Sequence, residues 1–297
     1  MIRTNEISFI LLFITYAFSS LGQNALETQI DQIAKKNEGN VGVSAIILET
    51  GEMASYNGEK KFPMQSVYKF PIAMAVLHQV DEGKLMIDQK IQIEKTEIIP
   101  NGRGSVKDKI LSGAQLTIKD LIWYTVGESD NTACDVLLRI LGGANVANNY
   151  VHEIGVNDIS IATTERVQMQ EDSIQYQNWA TPKGMTKLLK IFYNTNTLSE
   201  KSRSVLLHDM IQSLPGQKRL KGLLPSGTIV AHKTGTAATV NGLTRATNDA
   251  GIITLPNGRH LAISVFISDS YADQTERELT IATISKAAFD FWGVDNK

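Results

Sequence analysis

The chain has 297 residues, 42% of them hydrophobic and 20% charged, and its 29 lysines and arginines against 31 aspartates and glutamates give a net charge of −2. No basic excess is present to hold a phosphate backbone, which excludes nucleic acid as a partner class. The single cysteine, Cys134, excludes a disulfide framework and cysteine-held zinc or iron–sulfur centres within one chain, and no two of the five histidines stand at the i, i+4 spacing of a helical zinc pair, so no metal or other cofactor is expected.

In chain order, a targeting segment comes first. An apolar run from Ile7 to Phe18 follows Arg3 and ends at Ser19, Ser20 and Gly22. At about a dozen residues it is short for a bilayer span. It predicts a secretory signal peptide over 1–22, cleaved near Gly22–Gln23, and a periplasmic mature chain with no membrane anchor. An uncleaved anchor or a buried helix is the alternative.

Leu26, Ile30 and Ile33 are spaced as on a helix over Ala25–Lys36. Val41–Leu48 reads as a strand, and Thr50-Gly51 turns it into a hairpin. From Phe62 to Met210 the signals are mostly helical. Pro63–Val80 is expected to be one apolar-faced helix, distorted at Pro71 where a backbone donor is missing. Thr117 with Asp120 resembles a capping box, Thr132–Leu141 is helical up to Gly142-Gly143, and Thr181-Pro182 opens another helix. Strands return at Thr228–Lys233, Gly251–Leu255 and Leu261–Ile267, the last two joined by Pro256-Asn257-Gly258, a strong hairpin signal. Thr275–Trp292 closes as an amphipathic helix. The expected fold is α/β (α+β). Its antiparallel sheet is built from 23–62 and 211–297, a helical domain over 63–210 is inserted, and a cleft lies where the two meet.

Four short motifs carry chemistry. Ser66-Val67-Tyr68-Lys69 places an amine on the same helix face as a hydroxyl, near free backbone N–H groups. A serine needs such a base to become a nucleophile. Taken alone, the pair reads by default as a surface Ser and Lys on an amphipathic helix. Ser129-Asp130-Asn131 lies between two helices and could project a hydroxyl and an amide into the cleft, or simply cap the next helix. Lys233-Thr234-Gly235, followed by Thr236, offers a cation and hydroxyls for a carboxylate at the end of a strand, with Gly235 allowing close approach of a substrate. An ordinary charged edge strand would look the same. Glu165 by itself reads as a surface charge.

Their fixed order decides the weighing: Ser-x-x-Lys, Ser-Asp-Asn, Glu and Lys-Thr-Gly occur once each along the chain. That set is the one found in class A β-lactamases and penicillin-binding proteins. The chain resembles class A serine β-lactamases over essentially its whole mature length. Residues 66–78, Gln175-Tyr176-Gln177-Asn178-Trp179 and His232-Lys233-Thr234-Gly235-Thr236 are similar to the PER and VEB subgroup, related to cephalosporinases of Bacteroidetes. The resemblance implies a β-lactamase/transpeptidase-like fold with a five-stranded sheet flanked by terminal helices. It implies a monomer acting on small β-lactam substrates and favouring cephalosporins, those with bulky oxyimino groups included.

It implies roles as well. Ser66 is the acylated nucleophile, Lys69 relays its proton, Ser129 protonates the departing nitrogen, and Glu165 activates the deacylating water. Asn131 meets the substrate side-chain amide, while Lys233, Thr234 and Thr236 face its carboxylate. The N–H groups of Ser66 and Thr236 form an oxyanion hole. Arg219 is expected to assist at the carboxylate, because the stretch 239–251 places no obvious arginine on the strand after Lys233-Thr234-Gly235. Two departures stand out. Met169 occupies the place of an asparagine that helps hold the deacylating water, and Thr163 and Asn178 replace an Arg–Asp pair that clamps the glutamate loop. A loop without that pin could adopt a wider form. A D-Ala-D-Ala peptidase of the penicillin-binding type and a non-catalytic β-lactam or muropeptide binder are the competing readings, disfavoured by Glu165 and by the intact Ser66, Lys69 and Ser129 respectively.

Overall fold

The structure, a computed structural model, describes residues 25–294. The expected signal peptide lies outside them. Among the described residues no helix is long and apolar enough to cross a membrane.

Five antiparallel strands form the central sheet: β1 (Asn40–Ile47), β2 (Met53–Tyr56), β3 (Val230–Thr236), β4 (Thr247–Thr254) and β5 (His260–Ser268), in the order β2-β1-β5-β4-β3. The ends of the chain meet in its middle, where β1 pairs with β5 from Asn40↔Ser268 to Ile47↔Leu261. Alternation sorts the side chains. Val41, Val43, Ala45 and Ile47 of β1, with Leu261, Ile263, Val265 and Ile267 of β5, share a core with Leu26 and Ile30 of helix α1 (25–34) and Ile281, Ile284, Ala288 and Trp292 near the C-terminus. The alternate residues Ala262 and Phe266 belong to a second core on the opposite face, under the helices of the middle of the chain. The expected sheet and terminal helices are therefore present.

Helix α2 (Lys69–Asp81) lies at the centre of that second core, and every residue from Lys69 to Leu77 is buried. Its near-continuous apolar sequence suits a helix surrounded on all sides, not one with a single apolar face. The expected single helix from Pro63 is divided instead. Phe62–Pro63 is a short strand, Gln65–Tyr68 is a 3-10 turn, and α2 starts only at Lys69. Pro71 is then the third residue of an α-helix, where a backbone N–H has no intrahelical acceptor to lose.

Around α2 stand α3 (Val106–Leu111), α4 (Ile118–Val126), α5 (Asn131–Leu141), α6 (Ala144–Glu153), the single turn α7 (Glu165–Gln168), α8 (Pro182–Asn194) and α9 (Glu200–Ile211). The final helix, α10 (Gln274–Gly293), covers the other face of the sheet. The local signals explain several boundaries. The Thr117 hydroxyl accepts from the Asp120 N–H and Asp120 accepts from the Thr117 N–H, a reciprocal cap. Losing such a cap costs about 1 kcal/mol. Gly142, at φ 102, ends α5 in the left-handed conformation that glycine adopts without strain.

Candidate active site

Ser66 sits in the 3-10 turn that leads into α2, and edge strand β3 presses against that turn. A Cβ on Gly235 would lie 2.2 Å from the Met64 carbonyl oxygen, so glycine is required there by the turn itself, before any substrate. The Met64 N–H donates to Asn178 O (2.9 Å), and its carbonyl accepts from Asn248 Nδ2 (3.1 Å). Gln65 adopts φ 47, a left-handed backbone that a side-chain-bearing residue holds only when its surroundings enforce it. Its amide donates to Gln175 Oε1 (2.7 Å). The Ser66 N–H lies in the first turn, where it has no helical carbonyl behind it. Across from it, Ala237 N–H donates back to Ala246 O, so by ladder alternation the Thr236 N–H points away from β4 to the free edge.

The cap reading of Ser129-Asp130-Asn131 is met by its middle residue. Asp130 caps α5, accepting from the N–H of Ala133 (2.8 Å) and of Val106 (2.9 Å). Ser129, at φ 62, and Asn131 turn to two buried lysines. Lys69 Nζ donates to Ser129 O and to Asn131 Oδ1, each at 2.8 Å, and lies 3.0 Å from Glu165 Oε1. That last contact is an ion pair without hydrogen-bond alignment, so Glu165 Oε1 keeps its acceptor capacity. Lys233 Nζ donates to Ser129 Oγ and Thr234 O, each at 2.9 Å. Burial, and then the neighbouring charge of Lys69, hold the Lys233 ammonium well below the ordinary lysine value.

Ser66, Asn131, Glu165 and Thr236 line one cleft of about 460 Å³. Lys69, Ser129, Lys233 and Thr234 are buried beside it. Arg219 is buried too, and neither lines the cleft nor meets solvent. It donates to Gly235 O (3.0 Å), Asn248 O (2.9 Å) and Thr236 Oγ1 (2.7 Å) and pairs with Glu278 at 3.3 Å. Of these contacts, the one to Thr236 reaches a side chain that lines the cleft.

The loop carrying Glu165 is held by groups that the sequence reading did not single out. Asp135 of α5 accepts from the N–H of Glu165 (2.7 Å) and of Arg166 (3.0 Å). Burial pushes its carboxyl up, opposed by those two donors. The Arg166 guanidinium donates to the carbonyls of Thr96, Glu97 and Ile98. At the base of the loop, Asn178 accepts from the N–H of Ala162 (2.7 Å) and Thr163 (3.0 Å) and donates to Thr163 O (2.9 Å). The missing Arg–Asp pair thus leaves no unpinned loop, because one buried amide closes it through three backbone hydrogen bonds.

The arrangement is a hydroxyl at a turn, a lysine shared between an amide and a carboxylate, and a second hydroxyl–lysine pair. A family model, "Beta-lactamase enzyme family", matches residues 25–292. The chain belongs to this family. It is a class A β-lactamase. β-Lactamase VEB-1 of Pseudomonas aeruginosa is 40% identical over 283 residues, 95% of each chain. Extended-spectrum β-lactamase PER-1 of the same organism is 38% identical over 281 residues, 93% of this chain and 91% of that one. The crystal structure of TLA-3 extended-spectrum β-lactamase superposes with a TM-score of 0.89 at 42% identity, covering 92% of this chain and 100% of that one. The resemblance to the PER and VEB subgroup is borne out by these relatives.

Within this class A β-lactamase, Met169 stands at the mouth of the cleft. It is 48% exposed, and its sulfur lies 4.0 Å from Asn131 Nδ2. A thioether is a weak acceptor and no donor, so it cannot replace an amide. Arg245 lies within the stretch 239–251 but ahead of β4, and it faces the Glu165 loop, pairing with Asp172.

Proposed function

We propose that Ser66 is the nucleophile and that the reaction passes through its acyl-enzyme. The observation that carries this reading is Lys69 Nζ, one helical turn after Ser66, held between Ser129, Asn131 and Glu165. Ser66 Oγ attacks the β-lactam carbonyl, and the developing oxyanion meets the N–H groups of Ser66 and Thr236. As the C–N bond breaks, the Ser66 proton passes by way of Lys69 and Ser129 to the departing nitrogen. Lys233, Thr234 and Thr236 receive the substrate carboxylate, with Arg219 holding the Thr236 hydroxyl. Asn131 spends its oxygen on Lys69, which leaves its Nδ2 for the substrate side-chain amide. Glu165 then takes a proton from water as that water attacks the ester, and Ser66 leaves with its proton restored. This last step separates a hydrolase from an acylated transpeptidase.

The proposed substrate range leans to cephalosporins, bulky oxyimino members included. Support comes from the extended-spectrum relatives; the loop base, closed by Asn178, adds none. Secretion to the periplasm through the leader over 1–22 completes the proposal. The test is kcat/KM for a bulky oxyimino cephalosporin beside benzylpenicillin. A penicillin preference of several hundredfold corresponds to roughly 3–4 kcal/mol at the transition state and would contradict the proposed range.

A further inference from the structure

We propose that Gln168 positions the water that hydrolyses the acyl-enzyme, in place of the residue that follows it. The proposal rests on the reading of Glu165 as the deacylation base. Glu165 and Gln168 are the first and last residues of the single turn α7, so their i, i+3 spacing puts both side chains on one face. Both line the cleft that Ser66 and Thr236 line. Gln168 is only 8% exposed, and neither its Nε2 nor its Oε1 has a hydrogen-bond partner among the described residues. Glu165 Oε1 is the third such atom on this face. Buried amides almost always find partners, and two unpartnered amide atoms on the same face as a carboxylate oxygen that keeps its acceptor capacity are surroundings in which a water is held.

The chemistry fits the two groups. The Gln168 amide donates to the water oxygen and directs its remaining lone pair. Glu165 Oε1 accepts one water proton as the oxygen bonds to the acyl carbon, and when the bond from that carbon to Ser66 Oγ breaks, Oγ leaves with that proton returned to it and the acyl group departs as the carboxylic acid. Met169 can do neither, since its thioether lies near Asn131 at the mouth of the cleft and donates nothing. The amide needed for the water is therefore one position earlier in the chain, carried inward by the turn.

The test uses the full enzyme with Gln168→Met, which keeps length and removes the amide, and follows acylation and deacylation separately by stopped-flow and intact-mass measurements. Deacylation is expected to slow by about tenfold or more with acylation little changed, so that kcat and KM fall together and kcat/KM holds. A merely structural role would lower kcat/KM and thermal stability instead. Gln168→Asn, with the amide kept but set back, is expected to fall between the two. Native deacylation in a folded Gln168→Met overturns the proposal, and if that variant does not fold, native deacylation in Gln168→Asn overturns it. Glu165→Gln run in parallel separates the two readings. If it traps the acyl-enzyme while the Gln168 variants do not, only the role of Gln168 falls. If it turns over at the native rate, the base assignment falls.

Discussion

Lys233 Nζ meets Ser129 Oγ at 2.9 Å, tying the edge strand of the sheet to the loop before α5 across the floor of the cleft. Each group is fully buried. Because burial and Lys69 lower the affinity of Lys233 for its proton, the charge that would hold a substrate carboxylate is lost at a lower pH than for a free lysine. The alkaline limb of kcat/KM is expected below the ordinary lysine range. Lys233→Arg, which stays charged, is expected to move that limb upward. A limb that does not move in this variant belongs to another group.

Arg219 links stability to substrate binding. Arg219→Ala leaves Glu278 buried without its charge partner, with only the Gln274 amide still donating to it, and frees the Thr236 hydroxyl. A loss of about 3 kcal/mol in unfolding free energy is expected from breaking a buried pair, with kcat/KM down by about tenfold. In a Thr236→Val background the kinetic loss should shrink while the stability loss remains. An undiminished kinetic loss in that background would mean that Arg219 acts by a route other than Thr236.

A third prediction concerns the latch between the Glu165 loop and the sheet. Arg245 pairs with Asp172 and lies 3.6 Å from Asp269, and Tyr176 donates to Asp269. Gln175 donates to Asp172 and accepts from Gln65, so the latch continues to the turn of Ser66. The charges are partly exposed, and Arg245→Ala should cost only about 1 kcal/mol of global stability. Local opening is the expected consequence. Hydrogen exchange over 170–178 should quicken while α5 is unaffected. Unchanged exchange in that segment would show that Asp135 and Asn178 hold the loop alone.

Asp209 on α9 sets a pH dependence. Its side chain is buried, its Oδ2 has no hydrogen-bond partner, and burial raises the carboxyl from 3.8 to about 6 against the opposing charges of His208 and Lys119. A raised folded-state value means that the folded chain holds the proton more tightly. That contribution is full below about pH 4 and is lost as pH rises through about 6. The difference is at most about 3 kcal/mol. Asp209→Asn is expected to increase unfolding free energy at neutral pH and to flatten its slope between about pH 4 and pH 6, which denaturant titration across that range measures. Equal stability of the two proteins at neutral pH would contradict this.

Much of this was legible in the residues because the signals were local. The Thr117–Asp120 cap, Pro182 behind Thr181, the glycines ending α5 and the alternation in β1 and β5 are each decided within a few positions. So were the motif residues, which the fold brings around one cleft. What escaped depends on partners distant in sequence. Asp135 serves backbone amides at positions 165 and 166, Arg166 serves carbonyls near residue 97, and Arg245 serves a loop some seventy residues earlier; no periodicity announces such pairs. The break at Lys69 was missed because Pro71 reads as a defect inside a long helix until the 3-10 turn before it is known. Gln168 and Met169 are adjacent polar and apolar residues in a loop, and only the turn of α7 shows which side chain points inward.

The central claim is that Ser66 is acylated and that Glu165 alone supplies the base for its release. Intact-mass measurement of Glu165→Gln mixed with a cephalosporin tests it most directly. The variant is expected to acylate and then to hold substrate mass on the Ser66 peptide, with deacylation slowed by about a hundredfold or more, while the native enzyme shows no lasting adduct. A variant that clears substrate at the native rate, or carries its adduct on another residue, would contradict the account.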